Sequence, residues 1–394
     1  MGKWAILLFL AAGIAPAAPK GKRVTIQQFE DALRGMHGMS DRKAARELSE
    51  IELTERASST RLSHWEANFR GRRTREALLE LADESVFLAL PAAEIPAAAP
   101  PDPKTQGRIL MMSFDFVKST TARLPDFYAT RVTTHFEDTP PHEELEEGQG
   151  PSVGNGRRPF SGSMASPAVR QIDYAPLHIT GISNAMVTYR DGEEVVDAAK
   201  EGEKRDKGKA IGLTTSGEFG PILNVVLYDA AQSKMTWGHW ENGPTGLLAV
   251  FAYSVPAKNS HYRVTFPNAL VTDQIVPDYH GEIAIDPQNG DILRVTVVAD
   301  MKAPHEGVET AIMVEYAPVS IGGTTYICPV KGVALSKMPV ETPSGNEVRP
   351  PVMQTRLNDI EFMQYHLFRA ELRILPDSGA NPPAASAPPA PSPH

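Results

Sequence analysis

YHGEIAIDPQNGDILRVTVV, from Tyr279 to Val298, decides the fold. Ile283 and Ile285 alternate with Glu282, Ala284 and Asp286. Beyond the turn, Ile292 alternates with Leu293, and Val295 and Val297 with Arg294 and Thr296. A period of two marks a half-buried strand. Between the two runs lies Asp286-Pro287-Gln288-Asn289-Gly290. Proline presets φ for a turn corner, and Asn-Gly tolerates the positive φ that starts the return strand. The stretch predicts a β-hairpin, and its neighbours predict the sheet it belongs to.

Downstream, Ile312–Tyr316 and Thr325–Leu335 face each other across Gly322-Gly323, and a long strand is expected over about Thr355–Leu375. Upstream, strands are expected at Met235–Glu241, Leu247–Ser254 and His261–Phe266. Phe127–Glu137 alternates Tyr128, Thr130, Val132, Thr134 and Phe136 against the residues between them. Met186–Tyr189 and Val195–Val196 flank Asp191-Gly192 as another hairpin. Sequential strands pair most economically as an antiparallel meander. A capping box at Thr215–Glu218 starts one inserted helix that runs to Ala230. Residues 138–167, acidic and then rich in Gly, Ser and Pro, and the charged run Lys200–Lys209 are expected to be loops.

The N-terminal third reads differently. Thr25 and Gln28 form a capping box ahead of Ile26, Phe29, Leu33 and Met36 at helical spacing. Further short helices are expected from Ser40, from Ser59 (Leu62, Trp65, Phe69) and over Thr74–Leu88. The arginines at 70, 72, 73 and 75 sit beside Glu76, Glu80, Asp83 and Glu84, a pattern of self-paired, solvated charge. PAAEIPAAAPPDP, residues 91–103, reads as a semi-extended linker before a longer helix over Lys104–Ala122. The expected organisation is therefore α+β: a signal peptide over 1–18, a helical subdomain over 19–90, the linker, a helix plus a curved antiparallel sheet over 104–375, and a disordered Pro/Ala-rich tail over 376–394.

The first residues, MGKWAILLFLAAGIAPAA, have the layout of a secretory leader: Lys3, an apolar run Trp4–Ile14 too short to span a bilayer, then small residues. The expected location is the periplasm or the outside of the cell, with no transmembrane span in the mature chain. A net charge of −9 does not suit a nucleic-acid binder. Cys328 is the sole cysteine, so no intramolecular disulfide forms, and its apolar neighbours make it an inert buried thiol.

No nucleophile elbow, HExxH pair, P-loop or dinucleotide fingerprint is present. MTWGHWE, Met235–Glu241, is the most unusual local composition. Strict alternation puts Trp237, His239 and Glu241 on one face and Gly238 and Trp240 on the other. One reading makes His239 and Glu241 an acid/base pair in an aromatic cleft; the competing reading is a structural strand with aromatics packed under a helix. His239, His261 and His280 on neighbouring strands would suit zinc, though nothing in the spacing requires it. No cofactor is expected.

GEIAIDPQNGDILRVTV, with Gly281, Ile283, Ile285, Asp286, Gly290 and Ile292, together with VEYAPVSIGGTTYICPVKG (Val314–Gly332), resembles the outer-membrane lipoprotein carrier (LolA-like) superfamily. ELSEIELTERAS and TREALLELADESVFL resemble exported proteins of soil acidobacteria. The carrier resemblance covers about Phe127–Leu375 and implies a half-barrel with helices over its hollow side. It implies an exported, non-catalytic module that binds a lipid or lipidated segment in the cleft between sheet and helices, with Trp237, His239, Trp240 and Glu241 as the candidate contact residues. The alternatives are an envelope module that binds a protein through its N-terminal helices, and a hydrolase-like enzyme using His239 and Glu241.

Overall fold

The computed structural model describes residues 21–145, 169–190, 193–197, 221–267, 272–340 and 352–368. The leader, the Thr215–Glu218 capping box, the Lys200–Lys209 run and the Pro/Ala-rich tail lie outside these residues.

The helical part opens with strand β1 (Lys22–Val24) and helix α1 (Ile26–Met36). The Thr25 capping box is complete: its side chain accepts from Gln28 N, and Gln28 returns to the Thr25 backbone. Helix α2 (Asp41–Leu48) leads into strand β2 (Ile51–Leu53), which pairs in parallel with β1. That pairing has no periodic signature in three residues. Helix α3 (Ser59–Asn68) is capped by Ser58, and α4 (Arg72–Ser85) completes the unit. Phe29, Leu33, Leu48, Trp65, Leu78 and Leu81 close its core. Residues 91–103 cross to the sheet through a short 3-10 turn at Ala92–Glu94. Helix α5 (Pro103–Arg123) starts at the Asp102 cap with proline in its first turn, where the missing N–H is harmless.

The β part follows as β3 (Phe127–Thr139), β4 (His142–Leu145), β5 (Val169–Ile172), β6 (Ala175–Arg190) and β7 (Glu193–Asp197). Helix α6 (Pro221–Ala231) precedes β8 (Lys234–Asn242) and β9 (Leu247–Val255). Strands β10 (Val264–Pro267) and β11 (Thr272–Ile275) come next, then β12 (Asp278–Ile285), β13 (Ile292–Asp300), β14 (Glu309–Ile321), β15 (Thr324–Val340) and β16 (Val352–Leu367). Ten strands form one curved, unclosed antiparallel sheet in the order β7-β6-β3-β16-β15-β14-β13-β12-β9-β8. The meander expectation holds within each half. The join of β3 to β16, more than 200 residues apart in sequence, is the long-range contact that local pattern does not encode. Two expected features differ. Within the expected 138–167 loop β4 forms and pairs with β5 just beyond it, and His261 precedes its strand, which pairs only with β11 outside the large sheet.

The opening hairpin is β12–turn–β13, with Ile283 opposite Val295. Gly290 sits at φ 86°, and a Cβ there would lie 2.6 Å from the Met112 carbonyl carbon of α5. The turn glycine thus serves both the hairpin and the seating of the helix. In register, Phe251, Ile283, Val295 and Val314 form one buried row on one face of the sheet. Ile109 and Val117 of α5, with Leu223, Val226 and Leu227 of α6, fill the space over that row. The helical subdomain lies on the opposite face, where Leu79, Val86 and Phe87 pack on Phe136, Met313, Val333 and Leu357. The centre of the sheet is therefore covered on both sides, while mid-β6, residues 182–184, stays exposed. No helix among the described residues is long and apolar enough to cross a membrane.

Candidate functional site

Strand β8 does not alternate as its sequence suggests. The register against β9 shifts between Trp237 and His239: Trp237 opposes Phe251, while His239 opposes Val250. Gly238 is the extra residue of a β-bulge, which resets every later side chain to the other face. Trp237 and Trp240 consequently share the helix-covered face, edge to face with ring centroids 4.9 Å apart, and Trp237 meets Phe251. The Trp240 indole N–H donates to the Ala99 carbonyl at 2.8 Å, tying residues 91–103 to the sheet edge. His239 and Glu241 point to the opposite face. The four candidate residues are thus split two and two.

Glu241 meets two guanidinium groups. Arg294 binds it bidentately, Nη1 to Oε1 at 2.5 Å and Nη2 to Oε2 at 2.8 Å. Arg56, from the segment after β2, donates to Oε2 at 2.5 Å. Burial would raise the Glu241 pKa, but facing His239 and the two arginines outweigh it and hold the carboxyl well below the usual carboxylate range. His239 Nε2 lies 3.8 Å from Oε2, too far for a hydrogen bond. A carboxylate held so firmly ionised is a poor proton acceptor. This arrangement anchors; it does not shuttle protons.

The anchor belongs to a longer ladder. On the face that receives the helical subdomain, Arg294, Glu315, Lys331 and Glu361 stand in register on β13, β14, β15 and β16. Charge alternates across the strands, the arrangement in which cross-strand pairs attract. At the Lys331 end, the ammonium sits 2.7 Å from Asp83 Oδ1 of α4 and 3.3 Å from Asp359 Oδ1 of β16. Asp83 is fully buried; desolvation and the Asp359 charge push it up to about 8 despite Lys331. Arg56 and Asp83 are thus the two plugs by which the helical subdomain enters the charged face of the sheet. A cleft of about 30 Å³ beside Asp83, Glu315 and Lys331 leaves little space at that seam.

The three histidines each have a separate acidic neighbour. His261 Nδ1 lies 2.5 Å from Asp229 Oδ1, and Tyr279 donates to Asp229 Oδ2 at 2.8 Å. His280 pairs with Asp300 at 2.9 Å. The zinc arrangement is not formed: no group of three metal-ligating side chains occurs among the described residues. Cys328 is buried, and burial pushes its thiol up to about 12, as an inert cysteine requires.

A larger cleft, about 220 Å³ and open to solvent, lies in the helical subdomain between the α1–α2 and α3–α4 turns. Met36, Met39 and Phe69 line it with apolar surface, and His37, Asp41 and Arg70 with polar groups. The His37 and Phe69 rings stack at 5.4 Å. Asp41 braces the cleft by accepting Thr74 N and Oγ1 at 2.8 Å each. By sequence, Met36 and Phe69 stand out only as helix-face positions and Arg70 only in a charge cluster, because the cleft joins two turns about thirty residues apart. Arg56 and Lys331 were missed for a related reason, since only the docking of two parts brings them to their acids.

Comparison with known families, curated proteins and solved structures finds no match.

Proposed function

We propose that this chain is an exported protein-interaction module of the cell envelope. The helical subdomain carries the binding cleft, and the sheet holds it rigidly. Export rests on the leader-like residues 1–18, and the resemblance of the β part to lipoprotein carriers rests on the residues from Gly281 to Ile292 and from Val314 to Gly332.

The observation that carries the reading is the cleft walled by Met36, Met39, Phe69 and Arg70. Its 220 Å³ suits one inserted side chain better than a whole small ligand, which usually fills 300 Å³ or more. Buried anchors of this kind dominate protein interfaces. The occupant that fits is an apolar or aromatic side chain flanked by a carboxylate for Arg70. The apolar-ligand reading draws support from helices α5 and α6 lying over the sheet. However, Ile283, Ile285, Ile292 and Phe251 beneath them are at most 1% exposed, so an acyl chain would first have to displace a helix.

A photo-crosslinking amino acid at position 37 tests the proposal in cells. The expected result is one dominant protein adduct, reduced at least tenfold by Arg70→Glu. Adducts indifferent to Arg70→Glu count against the cleft. Saturable uptake of a fluorescent fatty acid by the purified chain returns the carrier reading to first place.

A further inference from the structure

On the sheet face opposite the charged ladder, three residues from three adjacent strands form a relay. His135 of β3 lies between Asn358 of β16 and Ser183 of β6. Its Nδ1 is 2.7 Å from Asn358 Oδ1, and its Nε2 is 2.8 Å from Ser183 Oγ. The amide oxygen facing the ring selects the tautomer. An amide oxygen only accepts, so Nδ1 carries the hydrogen. In the neutral imidazole of that tautomer Nε2 presents its lone pair, and the Ser183 hydroxyl donates to it. A hydroxyl bonded to a base that a third group orients is the pattern of an activated nucleophile. Asn358 is buried and Ser183 is exposed, so the orienting end is fixed and the reactive end is reachable. Arg131 precedes His135 by four residues on the same face of β3, with its guanidinium 6.0 Å from the Phe362 ring centroid.

We infer that Ser183, His135 and Asn358 form an acyl-transfer site for carboxylic esters. The inference is independent of the interaction cleft, which lies in the helical subdomain. Ser183 Oγ attacks the ester carbonyl carbon as its proton passes to His135 Nε2. The carbon–alkoxide bond then breaks, His135 returns the proton to the leaving alkoxide, and the alcohol departs. Water attacks the acyl-serine by the same route in reverse, giving the acid and restoring the hydroxyl. Asn358 is a positioning residue. The nucleophile stands on an open sheet surface, so the matching substrates are short-chain esters that need no deep acyl tunnel.

The intact chain is to be treated with a fluorophosphonate, and separately with p-nitrophenyl acetate. One covalent adduct is expected, on Ser183, and none in Ser183→Ala. His135→Gln should slow labelling by about 10²–10⁴-fold, the usual contribution of a general base. Asn358→Ala should slow it too, with recovery in Asn358→Asp and a pH profile moved to higher pH, because a carboxylate favours the imidazolium. Should His135→Gln fail to fold, the wild-type pH profile decides. A rate that levels off once the imidazole is neutral supports the site, and one that climbs in proportion to hydroxide overturns it. An adduct elsewhere, no adduct, or hydrolysis unchanged by Ser183→Ala also overturns it.

Discussion

At the scale of single residues, Glu241 shows how context overrides composition. MTWGHWE looks like a site because it gathers aromatics, an imidazole and a carboxylate. One bulge at Gly238 sends the indoles to one face and the acid to the other, where two arginines hold it. The Arg294 and Arg56 side chains are 9% and 6% exposed, so the cluster is buried, and removing its carboxylate leaves two cations side by side. Glu241→Leu should therefore cost about 3–5 kcal/mol in urea unfolding. Arg34→Ala, at an exposed pair with Asp31, should stay within about 0.5 kcal/mol. Equal losses in the two variants would remove the anchoring role of Glu241.

At the scale of elements, the β12–β13 hairpin was legible because its determinants are local: alternation on each side and a turn that needs positive φ. The helices were legible for the same reason, Thr25 and its Gln28 partner foremost. What escaped the sequence is set by neighbours in space. The bulge in β8, the parallel β1–β2 pair, the charged row Arg294–Glu315–Lys331–Glu361 and the Ser183–His135–Asn358 relay all require strands whose partners no local pattern names. The hairpin also carries information that only packing reveals. Gly290 has φ 86° and abuts the Met112 backbone. Gly290→Ala meets both a strained dihedral and a helix that cannot yield as a side chain would. Its cost should exceed 1 kcal/mol, the ordinary upper range for a Gly→Ala change of opposite sign at a permissive site. Gly38→Ala, also at positive φ but with open space around it, should cost less. Parity between the two in thermal unfolding would mean that α5 does not rest on the turn.

At the scale of the whole molecule, the seam between subdomain and sheet holds two carboxyls displaced in opposite directions, and their signs set how stability follows pH. Asp83 has an ordinary value of 3.8 and a folded value near 8, raised by burial and Asp359. Between those values the folded chain holds a proton that the unfolded chain has released. Stability must then fall as pH rises from about 4 to about 8. Glu241 is lowered, so its contribution is present above its ordinary 4.5 and is lost as pH falls through the folded value. Lys331 is raised above 10.5, so its contribution is complete below that value and constant across the same window. The three together place the greatest stability on the acid side of neutrality, near pH 4. In Asp83→Asn the proton is replaced by a fixed neutral amide. The slope between pH 5 and pH 8 should flatten, and the variant should surpass the wild type at pH 8 while differing little at pH 5. Urea midpoints at the two pH values measure this directly. A wild-type slope that survives Asp83→Asn would assign the pH dependence to groups outside the seam.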